Sequence, residues 1–233
     1  GRLPVRVRRA QAAIGVRHRP AIDVGPLLGL RLRTPRLELR LPAEPELIEL
    51  ARLAGRGIHP PETMPFRVPW TDGAGSPRFL DDFLAFHRAG RASWRPESWS
   101  LLLAVFSGGE PIGAQDVRGE EFATERSFET GSWLGRAFQG RGLGTEMRHA
   151  ALHLGFAGLG ARIAVSGALE GNRASERVSE KLGYVEAGEA YHEPRGVPLR
   201  ERIFVLDRAS WAASARPPVE IEGLEPCLPL FGV

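Results

Sequence analysis

Between Leu30 and Leu41 apolar and charged positions alternate, with Leu30, Leu32, Leu37, Leu39 and Leu41 separated by Arg and Glu. A period of two predicts a half-buried strand, broken at Thr34-Pro35. Pro45 then stands just inside a helix that runs to Leu53 and is ended by Gly55 and Gly57. His59 to Gly75 has no period, is rich in Pro and Gly, and carries Phe66 and Trp70. It predicts an ordered loop that either borders a substrate opening or plugs the core with Trp70. From Ser76 to Ala89 the period changes: Ser76 caps, Pro77 takes the first position, and Phe79, Leu80, Phe83, Leu84 and His87 share one helical face. Trp99 to Phe106 is a near-continuous apolar run and predicts a buried strand. Gly108-Gly109 predicts a hairpin turn, with Pro111 to Val117 returning as its partner. Glu120 to Arg126 reads as a charged connection.

The second half is organised around one turn. Ser127 to Leu134 reads as a strand, Gln139-Gly140-Arg141-Gly142-Leu143-Gly144-Thr145 as a glycine-rich turn, and Leu143 to Phe156 as a helix. The helix stripe is Leu143, Met147, Ala150, Leu154 and Ala157. The first N–H groups of a helix have no partner inside it, and the helix dipole adds positive charge there. Glycine lets the main chain approach a ligand without a Cβ in the way. Strand, glycine turn and helix therefore predict a phosphate or pyrophosphate at the start of this helix. Arg162 to Ser166 follows as a short strand, and Asn172 caps a helix through Val178 to Leu182, ended by Gly183. Tyr184 and Val185 begin a strand whose hairpin partner is Arg202 to Leu206.

Composition changes this picture only at the ends. The 233 residues suit one domain with appendages: a basic arm over residues 1–28, a domain over 29–213, and a Pro-rich tail over 214–233. The tail ends in Leu228, Leu230 and Phe231 and is expected to dock on the domain or on a second subunit, which leaves a homodimer open. The arm holds Arg2, Arg6, Arg8, Arg9, Arg17 and Arg19, yet no aromatic residues interleave them, so contact with nucleic acid or ribosomes is not expected from it. A formal charge of +3 suits an anionic ligand. No apolar run of about 18 residues predicts a membrane span, and no secretory signal is read at the front. Cys227 is the only cysteine, which fits a reducing, cytoplasmic setting.

Rival chemistries fit poorly. The glycine spacing is Gly-x-Gly-x-Gly, whereas a dinucleotide fold needs Gly-x-Gly-x-x-Gly and a later acidic residue. A nucleoside-triphosphate loop needs Gly-Lys-Ser/Thr, and the only lysine is Lys181. His149 and His153 stand four apart on a helix without His-Glu-x-x-His or a third ligand; no metal is expected, and both read as solvated residues. Cys227 has no evident base partner, which argues against a nucleophile.

Gln139-Gly140-Arg141-Gly142-Leu143-Gly144 resembles the acetyl-CoA pyrophosphate loop of the GNAT N-acetyltransferases, Gln/Arg-x-x-Gly-x-Gly/Ala. Gly131-Ser132-Trp133-Leu134 before it resembles the lead-in strand of the RimJ/RimL branch. Asn172-Arg173-Ala174-Ser175 through Val178, Lys181, Leu182, Gly183 and Tyr184 is similar to that branch's second block. Thr34 to Arg40 resembles its first strand. The resemblance implies an α/β fold with a mixed sheet, helices on both faces, and two central strands that splay to admit the pantetheine arm of the co-substrate. By position, Trp133 and Leu134 would offer backbone hydrogen bonds to that arm. The backbone N–H groups of Gln139, Gly140, Arg141, Gly142, Leu143, Gly144 and Thr145 would hold the pyrophosphate. Asn172 would lie beside the cofactor and Ser175 near its sulfur.

The resemblance also implies direct acetyl transfer from acetyl-CoA to a primary amine, offered by a protein N-terminus or a small molecule. Ser175 matches the expected proton donor to the leaving sulfur, with Tyr184 as the second candidate; a local capping bond is the alternative for Ser175. The amine needs a base. Some relatives carry a glutamate on the strand before the second block, but Ile163-Ala164-Val165-Ser166 has none. Glu129 is the substitute on the neighbouring strand, where it could equally form a surface pair; His59, Asp72 or water are the others. The missing carboxylate keeps open a non-catalytic acyl-CoA-binding or sensing role on the same scaffold.

Overall fold

The computed structural model describes residues 22–233. Of the basic arm expected over 1–28, residues 1–21 lie outside the described residues. The last part of it is ordered: Gly25–Gly29 forms a 3-10 turn that buries Leu27.

The chain gives strands β1 (Arg31–Arg33) and β2 (Glu38–Arg40), helices α1 (Glu44–Gly55) and α2 (Phe79–Ala92), and strands β3 (Ser98–Ser107) and β4 (Glu110–Glu120). A short α3 (Phe122–Glu125) leads into β5 (Ser127–Leu134) and α4 (Leu143–His153). Then come β6 (Ile163–Leu169), α5 (Arg173–Lys181), β7 (Val185–His192), β8 (Leu199–Asp207), α6 (Arg208–Ala212) and β9 (Glu220–Glu222). One mixed sheet runs in the order β7-β8-β6-β5-β4-β3-β2-β1-β9. Every neighbour pair is antiparallel except β5 and β6, which are parallel.

Alternation along β3 divides the core between the two faces of the sheet. Leu101, Leu103 and Val105 join Met147, Leu154 and Phe156 in a cluster under α4. Ala104 and Phe106 join Leu47, Leu50, Phe83 and Leu84 in a cluster under α1 and α2. The central hairpin turns on Gly108 and Gly109, whose φ of +59° and +85° are cheap only for glycine.

Several elements differ from the sequence expectation. The single broken strand of Leu30 to Leu41 is a hairpin, with Leu32 opposite Leu39; Thr34-Pro35 reverses the chain instead of kinking it. α2 begins at Phe79, because Ser76 and Pro77 close a preceding turn through the Phe79 N–H to Ser76 O bond (3.2 Å). α4 passes into a π-helical turn over Leu154–Gly158, sealed by Leu159 N–H to Leu154 O (2.8 Å). The wider turn shifts the helical phase. Phe156 is therefore buried against Phe128, while Ala157, expected in the apolar stripe, is exposed. The charged connection Glu120 to Arg126 hides a fully buried Phe122.

The tail docks on its own chain. β9 pairs with β1, placing Ile221 opposite Leu32. Beyond it Cys227 and Phe231 are buried, Phe231 packs 4.8 Å from Trp99 between ring centroids, and Trp94 Nε1 donates to Leu230 O (2.8 Å).

His87 on α2 is buried, its ring 4.8 Å from that of Phe83. Burial, with a smaller contribution from Arg91, pulls its pKa from 6.5 down to about 4. Below pH 6.5 the unfolded chain takes up a proton that the folded chain resists, so stability falls as pH drops and levels off below about 4. The shift corresponds to about 3 kcal/mol. His87→Leu is expected to flatten this part of the stability curve, read from urea midpoints between pH 7 and pH 4. An unchanged acid slope would show that His87 is not its source.

Candidate active site

The site is set by where two strands part. β5 and β6 pair from Ser127 opposite Ile163 to Thr130 opposite Ser166 and no further. Beyond that point β5 continues to Leu134 paired with β4, and β6 continues to Leu169 paired with β8. The facing edges of Gly131 to Leu134 and Gly167 to Leu169 are thus open, and their main-chain groups need a partner. Gly135 N–H donates to Ile112 O (3.0 Å). In an antiparallel ladder this makes Trp133 the residue that exchanges bonds with Ala114 across β4. The expectation that Trp133 offers its backbone to the gap is corrected: Ser132 and Leu134 face it. Trp133 instead places its half-buried ring against Trp70, at 5.9 Å between centroids.

The glycine turn lies at the C-terminal end of β5. Gly140 and Gly142 have φ of +75° and +78°, and Gly142 is the N-cap of α4. Leu143, Gly144 and Thr145 form the first turn, where N–H groups have no intrahelical partner. Gly144 sits close in, since a Cβ there would be 3.8 Å from both Leu134 and Val178 side-chain carbons. Arg141 is exposed, and its carbonyl accepts from Arg36 Nη1 (3.1 Å). Gln139 differs from expectation, because its N–H already donates to Arg136 O (3.3 Å). Its side chain instead braces the turn: Nε2 donates to Leu134 O (2.8 Å) and Ile58 O (2.7 Å).

Beside the helix start lies a groove of about 390 Å³ lined in part by Arg36, Gly142, Thr145, Lys181 and Arg216. Glu146 and Glu180 are the acidic residues lining it, and Glu146 is the one at the helix start. Burial raises the proton affinity of Glu146, but hydrogen bonds from Thr34 and Arg36 outweigh this and keep it low. Arg36 therefore balances that carboxylate while its own exposed face remains at the groove. Glycines without Cβ atoms, free helix N–H groups, basic side chains and an open strand edge fit a coenzyme A molecule laid along the turn with its arm in the gap.

α5 closes the gap from one side. Asn172 Oδ1 accepts from Ser175 N (3.2 Å), and its Nδ2 donates to Pro65 O (3.5 Å). Ser175 Oγ donates to Gly167 O (3.4 Å), which places the hydroxyl on the open edge of β6. Tyr184 is buried; burial raises its pKa, and Arg148 and a hydrogen bond with Thr130 oppose this. Arg148 on α4 is itself buried and, among the described residues, bonded only by serine hydroxyls.

On the other face, the loop from His59 to Gly75 covers the gap. Arg67 pairs with Glu129 (2.6 Å) and with Glu201 (2.8 Å). Glu201 Oε2 also meets His192 Nε2 at 2.8 Å. Glu201 belongs to β8 but occupies space over β6: a Cβ on Gly167 would lie 2.1 Å from its Oε1. Gly167 thus makes room for a carboxylate from the neighbouring strand over β6, which has none of its own. Sequence reasoning missed Arg67, His192 and Glu201. The available signal was Gly167 itself, since glycine inside a strand marks close approach. Of the other base candidates, His59 is engaged with Thr71 Oγ1 (2.7 Å) and Asp72 with Arg195 (2.5 Å).

His149, expected in solvent, is buried, and its Nε2 lies 2.9 Å from Pro217 O of the docked tail. The tail covers that side of α4, which the sequence could not place. Among the described residues no group of three His, Cys, Asp or Glu could hold a metal, and no helix is long and apolar enough to cross a membrane.

A parallel pair that parts into a gap, with a glycine turn and helix start at its mouth, defines an acyl-coenzyme A transferase scaffold. The family model for the acetyltransferase (GNAT) domain matches residues 36–185. The chain belongs to the GNAT acetyltransferase family and is an acetyl-CoA-dependent transferase. Solved structures agree in fold. Mycobacterium smegmatis RimJ in complex with CoA-disulfide is 18% identical with a TM-score of 0.65, covering 81% of this chain and 92% of that one. A GCN5-related N-acetyltransferase from Brucella melitensis is 21% identical with a TM-score of 0.62, covering 78% and 80%. The microcin C7 self-immunity acetyltransferase MccE, in complex with acetyl-CoA and AMP, is 18% identical with a TM-score of 0.60, covering 74% and 93%.

Proposed function

We propose that the protein moves the acetyl group of acetyl-CoA directly to a primary amine at the gap between β5 and β6. The observation that carries this is the buried Glu201 carboxylate standing over Gly167, beside open strand edges. A cationic amine approaching the sheet face from beneath the His59 to Gly75 loop meets Glu201 and Glu129. The Glu201–His192 pair takes its proton, and the freed nitrogen attacks the thioester carbonyl. Leu134 N–H faces the gap and stabilises charge on the carbonyl oxygen. As the carbon–sulfur bond breaks, Ser175 donates its hydroxyl proton to the departing sulfur and regains one from the nitrogen, which thereby sheds its second proton. Glu129 holds Arg67 in place, and the first turn of α4 with the groove beside it holds the phosphates.

The deciding experiment is thiol release from acetyl-CoA over a panel of amines, with one arm of peptides bearing free N-terminal amines and one of small-molecule amines. Turnover on a member of either arm is expected. Coenzyme A binding without turnover on any amine would favour a binding or sensing role. Ser175→Ala is expected to lower kcat by about 10-fold or more while coenzyme A affinity moves less than about 3-fold. Wild-type turnover in that variant would remove Ser175 from the chemistry and leave it as part of the Asn172 cap.

A further inference from the structure

Arg148 is 3% exposed, and among the described residues hydroxyls alone hold its guanidinium. Nη1 donates to Ser166 Oγ (2.7 Å) and Ser179 Oγ (3.3 Å), and Nη2 donates to Ser132 Oγ (3.1 Å). Nε has no partner among the described residues, and no carboxylate there acts on the group. Burying a cation without a carboxylate is costly, and arginine does not escape by losing its proton. Such groups gather at functional sites, where the charge has a use.

Its three partners mark where that use lies. Ser166 is the last β6 residue paired with β5, and Ser132 is two residues past the last β5 pair. Ser179 stands one helical turn after Ser175 on the same face of α5. The charge therefore sits at the apex of the gap, about 6 Å along α5 from Ser175.

We propose that Arg148 stabilises negative charge on the sulfur of coenzyme A, making the bound thiol more acidic and easing the sulfur's departure. This rests on the acetyl-CoA reading of the gap. During transfer the amine nitrogen bonds to the carbonyl carbon, the carbon–sulfur bond breaks, and its electron pair goes to sulfur. The nitrogen's first proton goes to the Glu201–His192 pair before attack, and its second reaches the sulfur through Ser175 after the electron pair has arrived. Arg148 forms no bond and gives up no proton; it faces the arriving electron pair. Ser132 Oγ accepts from Nη2, which leaves its O–H to donate into the gap. The neighbouring charges do not cancel this field. Tyr184 is kept protonated by burial, which outweighs the opposing effects of Arg148, a hydrogen bond with Thr130, and Arg216. On α4 itself Glu146 is matched by Arg36, and burial keeps His149 neutral. Glu201, on the opposite face of the sheet, is matched by Arg67.

The test uses the full chain with coenzyme A. Affinity is measured first by calorimetry. The thiolate absorbance of the complex is then titrated against the desulfo-coenzyme A complex as blank, for wild type, Arg148→Met and Arg148→Lys. The bound thiol pKa is expected to be lower than that of free coenzyme A by about one unit or more in wild type and to stay lowered in Arg148→Lys. In Arg148→Met it should return to the free value or above. A wild-type thiol at or above the free value overturns the proposal, whether or not the Met variant folds. A Met variant that binds coenzyme A with the same lowered thiol also overturns it. Wild-type protein that binds no coenzyme A overturns the reading of the gap, and this proposal with it.

Discussion

Gly142→Glu is expected to abolish coenzyme A binding, with a loss of about 100-fold or more in affinity by calorimetry. Gly142 is the N-cap of α4 with φ of +78°. Glutamate there brings two separable penalties. Any side chain is strained at that φ, by about 1–2 kcal/mol. A carboxylate also competes with phosphate for the N–H groups of Leu143, Gly144 and Thr145 and for the positive helix end. Space alone does not forbid the change, because a Cβ would lie 3.5 Å from Arg36 Nη2, a flexible tip. Gly142→Ala keeps the strain without the charge, so it should bind coenzyme A far better than the glutamate variant. Equal affinity in wild type and Gly142→Glu would remove this turn from the site.

Glu201→Gln is expected to lower kcat by about 100-fold, a typical size for loss of a positioned base. Glutamine keeps the shape over Gly167, and Arg67 retains Glu129, so the fold around the gap should persist. Glu129→Gln should have a smaller effect, because it leaves Arg67 paired with Glu201. The pair of variants, assayed for thiol release on an accepted amine, separates the base from the residue that steadies Arg67. If Glu129→Gln proves the more damaging, the roles are reversed. If neither reduces kcat by more than about 3-fold, proton removal lies outside this cluster.

Much of the fold was legible because local rules and tertiary structure agreed. The apolar run Trp99 to Phe106, the turn Gly108-Gly109 and the strand Ser127 to Leu134 all appear with their expected roles. Asn172 caps α5 through Ser175 N, as a short polar side chain before a helix should. Legibility failed where a distant segment decided the outcome. His149 reads as surface until Pro217 covers it. Ala157 reads as core until the π-helical turn rotates it outward. The strand before α5 reads as lacking a carboxylate because Glu201 reaches it from β8, 34 positions after Gly167.

The sequence by itself determined the glycine turn, the helix that starts on it, the second block with its cap, and therefore the coenzyme that this family uses. These depend on backbone conformation and hydrogen bonds within a few residues, which local residue types dictate. Tertiary structure alone decided which main-chain groups face the gap, which carboxylate stands over it and which cation lies at its apex. Strand register, and the crossing of side chains from β8 and α4 onto β6, are set by packing among elements far apart in the chain. No local pattern encodes them.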